Sequence, residues 1–145
     1  MCRNLLAVSI SMTIFVLSCS VRADDGKQES DKPYVLAPVA EPAPVATGKP
    51  CQYKLSITPK APWALKTSTP LKVKLAATPG LKLGKHVLTW QDATESQGDA
   101  RAVQAGCEGV SAGQQTVDAD VSFFLCTEEI CQRHVDKVTL PVQVQ

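Results

Sequence analysis

The stretch VSFFLCTEEICQRH, from Val121 to His134, decides the fold that this chain is expected to adopt. Alternating apolar residues lie on both sides of Cys126 and Cys131, and four residues separate the two cysteines. That pattern is typical of two antiparallel strands joined by a tight turn. Residues that oppose each other across such a hairpin have Cα atoms about 4.5 to 5.5 Å apart, a distance that a disulfide can bridge.

A Cys126–Cys131 pair also determines which residues face each other along both strands. Cys126 shares its side of the strand with Asp120, so we expect it on the outer face, off the core. Val121 would face Asp136, which predicts a bulge near the tip of the hairpin. The other pairs match apolar with apolar residues or opposite charges: Val117 faces Leu140, Ala119 faces Val138, and Asp120 faces Lys137.

Period-two alternation recurs along the rest of the chain, and no segment has a convincing helical period. Turn-forming residues such as Gly80 and Gly84 separate the alternating segments. Residues 51–145 are therefore predicted to form an all-β domain, an immunoglobulin-like antiparallel β-sandwich of about seven strands. The expected strands lie near 51–57, 71–75, 81–83, 86–90, 103–107, 117–125 and 138–144.

Four cysteines fall within this domain, and an even number in an exported domain of this size indicates two disulfides. Cys51 and Cys107 both lie on the apolar side of their strands. We therefore expect a buried structural disulfide between them, which leaves Cys126 to pair with Cys131. The alternative for Cys51 and Cys107 is a second redox couple that exchanges with the first.

The beginning of the chain indicates export. Leu5 to Leu17 is an uncharged, mostly apolar run, shorter than the roughly 20 apolar residues of a membrane-spanning helix. Residues 1–23 are therefore predicted to be a signal peptide. Cleavage before Asp24 would secrete the protein. The sequence VLSC, which ends at Cys19, instead resembles a bacterial lipobox, and a lipid on Cys19 would anchor the protein in the cell envelope, at the outer membrane facing the periplasm.

Residues 24–50 are predicted to be a disordered linker. This stretch is polar as far as Lys32 and then rich in Pro, Ala and Val. Closely spaced prolines remove backbone donors and bias a chain toward extended polyproline conformations. Such a spacer would hold the domain away from a membrane surface to which Cys19 is anchored.

The distribution of charge is uneven along the domain. The formal net charge of the whole chain is +1, which argues against nucleic acid as a partner. Residues 51–85 contain seven lysines and no acid, whereas residues 86–145 contain nine acids against Arg101, Arg133 and Lys137. Basic and acidic strands are expected to pair within one sheet. The functional alternative is a basic face that docks an acidic partner.

An exposed disulfide at a hairpin tip is either a structural cross-link or a redox centre. A thiolate is the species that attacks a disulfide, so neighbouring charges decide reactivity. Arg133, His134 and Lys137 could stabilise a thiolate on Cys131, whereas Glu128 and Glu129 would oppose it. The spacing of the cysteines leaves both possibilities open.

The segment FFLCTEEICQRHVDKVTLPVQV, from Phe123 to Val144, resembles the amino-terminal, immunoglobulin-like periplasmic domain of DsbD-type thiol:disulfide interchange proteins, and also small bacterial lipoproteins of that class. The resemblance implies thiol–disulfide exchange in which Cys131 attacks and Cys126 resolves. It also implies that a thioredoxin-like or DsbD-like protein exchanges electrons with the chain. The competing hypothesis is a non-enzymatic envelope module with two structural disulfides and a binding surface.

Other kinds of site have weaker support. Zinc could use Cys126, Cys131 and His134, but the fourth ligand would have to be the only other histidine, His86. The domain has no methionine for copper, and no serine–histidine–acid arrangement or phosphate-binding loop stands out. No cofactor is therefore expected. The two tryptophans, at 63 and 90, are expected to serve in packing.

Overall fold

Ten β-strands form the fold of residues 31–39 and 44–145, the part of the chain that the structure, a computed structural model, describes. No helix in this part is long and apolar enough to cross a membrane. The strands are β1 (Tyr34–Pro38), β2 (Pro50–Pro59), β3 (Ala64–Leu65), β4 (Lys72–Ala77), β5 (Leu81–Leu83), β6 (Val87–Leu88), β7 (Ala93–Glu95), β8 (Arg101–Gly109), β9 (Gly113–Cys126) and β10 (Cys131–Val144).

The strands form two antiparallel sheets of five strands each. The first sheet has the order β1-β2-β8-β5, and β7 also pairs with β8. The second has the order β10-β9-β4-β6, and β3 also pairs with β9. This is the predicted immunoglobulin-like β-sandwich. All seven expected strands are present, and β1, β3 and β7 are short additions.

One hydrophobic core lies between the sheets, and alternate residues of each strand supply it. Every second residue of β9 from Val117 to Leu125 has zero exposure. Tyr53, Leu55 and Ile57 of β2 are buried in the same way from the opposite sheet. Because each large apolar side chain contributes roughly 1.5 to 3 kcal/mol when it is fully buried, this alternation determines which face of each strand turns inward.

The β9–β10 hairpin has the predicted register. Cys131 pairs with Cys126, and the pairing continues without interruption to Val144 and Gly113. The bulge expected near the tip is absent. Asp136, which was expected to disturb the pairing with Val121, finds partners outside the hairpin, so the ladder stays regular.

Residues 24–50 were predicted to be a disordered linker. That prediction is wrong for much of residues 31–39 and 44–50, the part of this range that the structure describes. Tyr34 to Pro38 form β1, which pairs with β2 at the edge of the first sheet. Val45 is buried, and it forms a parallel bridge to Val144 of the second sheet. The prolines of residues 31–39 and 44–50 lie at or beyond the end of a strand, or on an edge strand, where a missing N–H is tolerated. Residues 24–30 and 40–43 lie outside the described residues.

The strand expected at residues 86–90 is shorter than predicted. Only Val87 and Leu88 pair with β4, and Trp90 to Asp92 form a single 3₁₀ turn. Asp92 accepts a hydrogen bond from the backbone N–H of Thr89 at 2.9 Å, which ends the strand by capping the turn. Trp90 packs against the core from its edge, as predicted for both tryptophans.

Candidate functional site at the β9–β10 hairpin

The tip of the hairpin is a four-residue loop, Thr127 to Ile130, organised by one side chain. The Thr127 hydroxyl accepts hydrogen bonds from the backbone N–H groups of Glu129 (3.3 Å) and Ile130 (3.2 Å). The Thr127 N–H in turn donates to the Ile130 carbonyl at 2.8 Å. The loop therefore holds the ends of β9 and β10 together without help from the cysteines.

The two predicted disulfides are both present. Cys126 bonds to Cys131, and Cys51 bonds to Cys107. Each pair consists of directly opposed residues in one antiparallel ladder, with Cα atoms 4.0 and 4.8 Å apart respectively. Cys107 is buried and Cys51 half-buried, so this second disulfide lies at the border of the core. Closed disulfides are typical of proteins outside the cytoplasm, which indicates an envelope or extracellular location.

The expectation that Cys126 is exposed is wrong, although it lies on the outer face of β9, as predicted, and not in the core cluster. Cys126 is only 1% exposed, and it lies between two neighbouring strands. Ala64 of β3 pairs with Cys126 from the side opposite to Cys131. Cys131 itself is exposed. The hairpin disulfide therefore has one buried and one accessible end, a difference that the period-two pattern does not reveal.

Of the three cations that were expected to stabilise a thiolate on Cys131, Arg133 alone lies near it on the same face without a carboxylate partner. Arg133 Nε donates to Ser122 Oγ at 3.1 Å. Lys137 lies six positions along the strand and pairs with Asp118, its Nζ 3.9 Å from the carboxylate. Asp120, which Lys137 was expected to neutralise, faces it in the ladder but forms no ion pair with it.

His134 belongs to an aromatic cluster on the inner side of β10. The centroid of its ring lies 5.2 Å from that of Tyr34, 5.8 Å from that of Phe123 and 6.3 Å from that of Trp63. Burial lowers the pKa of His134, and its Nε2 has no hydrogen-bond partner. An imidazole that lies on the face of β10 opposite to Cys131 and has a lowered pKa does not assist a thiolate on Cys131.

Asp136 joins this cluster to the chain before β1. Lys32 Nζ donates to Asp136 Oδ2 at 2.6 Å, and the Tyr34 hydroxyl donates to the same oxygen at 3.0 Å. Burial alone would raise the pKa of Asp136, but the hydrogen bonds from Lys32, the Lys137 N–H and Tyr34 outweigh it and lower the pKa. The sequence carried no signal for this contact, because Tyr34 lies in the predicted linker.

The zinc alternative has no geometric support. Cys126 and Cys131 are bonded to each other, and His134 points to the other face of the sheet. His86 lies at the far edge of the sheet, with Nδ1 3.4 Å from the Leu75 carbonyl. Residues 31–39 and 44–145 contain no group of three His, Cys, Asp or Glu side chains that could hold a metal ion. The predicted signal peptide and Cys19 lie outside the described residues.

Comparison with known proteins reveals no family. No family model matches the chain, and no curated protein matches it. Among solved structures, the chain is similar to domains 4 and 5 of the S-layer protein SbsC, at 15% identity over 76% of this chain with a TM-score of 0.41. The chain spans half the length of that structure, 50%.

Two further solved structures cover most of both chains. A conjugative transposon lipoprotein from Bacteroides eggerthii is 8% identical over 74% of this chain and 96% of its own length, with a TM-score of 0.42. AggA, the major subunit of aggregative adherence fimbriae type I from Escherichia coli, is 9% identical over 78% of this chain and 95% of its own length, with a TM-score of 0.41. These similarities carry no argument about function, and the resemblance to DsbD-type proteins stays a prediction.

Proposed function

We propose that the chain is an exported, non-enzymatic β-sandwich module whose two disulfides are structural and whose outer sheet faces serve for binding. The observation that carries this proposal is the environment of the hairpin disulfide. Cys126 is paired on both sides, by Cys131 and by Ala64, and its side chain is buried. A disulfide held in this way cross-links two strands that the ladder already joins.

The electrostatics of the site support the same reading. A cysteine becomes reactive when a nearby positive charge stabilises its thiolate. Lys137 is paired with Asp118, and His134 has a lowered pKa and lies on the opposite face, so Arg133 is the one cation of the three left near Cys131 without a carboxylate partner. Glu128 and Glu129, in contrast, are both exposed in the loop next to Cys131, and their two negative charges would oppose a thiolate there.

The module is proposed to reach the envelope as a lipoprotein through Cys19, with release by cleavage before Asp24 as the alternative. Growth of producing cells with a labelled fatty acid tests this point. A labelled mature protein that loses its label in a Cys19→Ala variant supports the anchor. An unlabelled protein that begins at Asp24 would contradict it.

A redox titration tests the structural role of the hairpin disulfide. A Cys51→Ala/Cys107→Ala variant is equilibrated with dithiothreitol buffers, and the fraction of modified Cys126 and Cys131 is read by mass spectrometry. We expect a midpoint potential below about −300 mV, as in structural disulfides. A midpoint between about −200 and −270 mV, the range of glutaredoxins and thioredoxin, would contradict the proposal.

Thiol–disulfide exchange with a thioredoxin-like or DsbD-like partner is the second candidate, and the exposure of Cys131 favours it. In the exchange, the Cys131 thiolate would attack a substrate disulfide, break its S–S bond, release one substrate thiolate and form a mixed disulfide with the other sulfur. The Cys126 thiolate would then displace the substrate thiolate and re-form the Cys126–Cys131 bond, so that two electrons pass to the substrate. The accessible cysteine has the position that an attacking thiol needs.

A trapping experiment separates this candidate from the first. Cys126→Ala leaves the exposed Cys131 free, and Cys131→Ala leaves the buried Cys126 free. Each variant is incubated with a thioredoxin whose attacking cysteine is bound through a disulfide to a small aromatic thiol. The free cysteine of the variant can displace this thiol and form a mixed disulfide with thioredoxin. If the Cys126→Ala protein forms the mixed disulfide with thioredoxin much faster than a small free thiol such as glutathione does, the result supports exchange. If it forms that mixed disulfide no faster than glutathione does, the disulfide is a structural one.

A further inference from the structure

A basic groove crosses the outer face of the second sheet and begins beside the hairpin disulfide, two residues from Cys131. It has a volume of about 270 Å³ and runs over β9, between β4 and β10. Short side chains of β9 line its floor, and longer side chains of β4 and β10 form its walls. The lining residues are Lys72, Lys74, Asp120, Ser122, Arg133 and Val135.

The charges in this groove are not balanced by the protein around it. None of the ion pairs in residues 31–39 and 44–145 includes Lys72, Lys74 or Arg133. The next carboxylate along β9, that of Asp118, is already engaged by Thr139 and Lys137. Asp120 is therefore the one carboxylate in the groove for three cations.

Arg133 is held in a position to receive an anion. Its Nε donates to Ser122 Oγ at 3.1 Å, which orients the guanidinium over the floor of the groove. The two terminal nitrogens make no other hydrogen bond within the described residues. A planar guanidinium held through Nε can present these nitrogens side by side to a carboxylate.

The spacing of the lysines indicates the shape of the ligand. Lys72 and Lys74 lie two residues apart on β4 and are both exposed on the same face. At about 3.3 Å per residue, their backbone positions lie about 6.6 Å apart. An extended peptide repeats its same-side residues at the same interval, so acidic residues at alternate positions would match the two lysines.

We propose that this groove binds an extended acidic segment of a partner protein, with carboxylates at alternate positions facing Lys72, Lys74 and Arg133. Val135, which is 65% exposed at the rim, gives the segment an apolar contact. This inference rests on the proposed function as a binding module. It assigns the ligand class and the sheet face, which the disulfide experiments do not address.

Titration of the purified mature protein with a fluorescent Glu-Thr repeat peptide tests the proposal. The peptide is expected to bind, and its affinity is expected to fall as salt rises through about 0.1 M, because the charges are exposed. In NMR spectra, shifts should concentrate on β4, β9 and β10. A Gln-Thr repeat peptide serves as the uncharged control and is expected not to bind.

Matched variants show whether the groove is responsible. Lys72→Gln/Lys74→Gln removes the two exposed ion pairs that these lysines would form with carboxylates of the peptide. The change should weaken binding of the peptide roughly threefold to tenfold. Lys54→Gln/Lys82→Gln changes the net charge equally, but on the outer face of the first sheet. That control should change the affinity by less than about twofold. Equal losses in both variants, or no loss in the first, would overturn the proposal.

Two other occupants would also overturn it. Tighter binding of a sulfated glycan than of the peptide would assign the groove to a polyanion of another class. A rise in peptide affinity after Asp24→Asn/Asp25→Asn/Glu29→Gln would identify the chain's own acidic segment as the occupant. The two proposals can fail separately. If the peptide does not bind, but the midpoint potential of the hairpin disulfide is below about −300 mV, the acidic-peptide inference is refuted and the structural role of the disulfide stands.

Discussion

The hydroxyl of Tyr34 donates a hydrogen bond to Asp136 Oδ2 across 3.0 Å, although the two residues lie 102 positions apart in the chain. Tyr34 belongs to the first sheet and Asp136 to the second. Lys32 reaches the same carboxylate oxygen at 2.6 Å. One carboxylate thus joins the two sheets at their open edge, beside the aromatic cluster that contains His134.

Asp136→Asn is expected to lower the free energy of unfolding by about 1 to 3 kcal/mol, because a half-buried charged acceptor is lost and Lys32 is left without its partner. Urea denaturation measures the change. Asp120→Asn is the matched control, since the Asp120 carboxylate is exposed and forms no ion pair within the described residues. Its effect should stay within about 0.5 kcal/mol. Equal effects of the two variants would contradict the role assigned to Asp136.

Stability is expected to fall when the pH drops below the ordinary histidine range. Burial lowers the pKa of His134, so the unfolded chain takes up the proton at higher pH than the folded protein does. The stabilisation is complete above the unfolded pKa of about 6.5 and is lost as the pH falls through the lower folded pKa. Urea midpoints between pH 8 and pH 5 measure this loss.

His134→Phe keeps an aromatic ring beside Phe123 and Tyr34 but removes the titrating group. It should flatten the pH dependence in that window. His86→Gln, at an exposed position, should leave it unchanged. A variant of His134 that keeps the full slope would show that another group is responsible. The lowered pKa of Asp136 has the same sign and adds a second loss below its unfolded value of about 3.9.

The two disulfides are expected to contribute unequally to stability. Cys51 and Cys107 are 56 positions apart, whereas Cys126 and Cys131 are 5 apart. Loop-closure entropy predicts losses of about 4 and about 2 kcal/mol for the respective Cys→Ala pairs, because the longer loop restricts the unfolded chain more. Denaturation of the two double variants measures these values. A larger loss for the hairpin pair would contradict this order.

Within the hairpin disulfide, Cys131 is expected to react first. After mild reduction, its exposed thiol should take up a maleimide before that of Cys126, which is 1% exposed. Peptide mass spectrometry of short time points measures the order. A Leu65→Asp variant provides the contrast, because a charge at this half-buried position of β3 should loosen the strand that pairs with Cys126 and speed its labelling. Equal rates in the unaltered protein would refute the burial of Cys126.

Gly109 is expected to tolerate no side chain. A Cβ there would lie 2.9 Å from Val144 Cγ1 and 3.2 Å from the Ala46 carbonyl, where the segment before β2 meets both sheets. Gly109→Ala should cost about 1 to 3 kcal/mol through this overpacking. Gly106→Ala, in the same strand with nothing within 4 Å, is the control and should have little effect. Similar thermal midpoints for the two variants would contradict the close approach.

Much of the hairpin could be predicted because its information is local. A period of two determines which face each residue occupies, so one assumed pair, Cys126 with Cys131, gave the register of both strands. The same alternation placed Cys51 opposite Cys107. The prediction was wrong at Asp136, where no bulge forms, because its partners come from a segment whose proline content suggested disorder.

By itself, the sequence determined the sandwich, its main strands and both disulfide pairs. Apolar and polar residues alternate along each main strand, and this local pattern shows which side chains face inward. Only the tertiary structure decided how exposed each cysteine is. Cys126 is buried, and the strand that pairs with it opposite to Cys131 is β3, whose two residues are too few to have a pattern. The pKa of His134 is lowered because distant segments, among them those that carry Tyr34 and Trp63, bury its ring. Burial and charge state depend on such long-range contacts, which a local pattern does not encode.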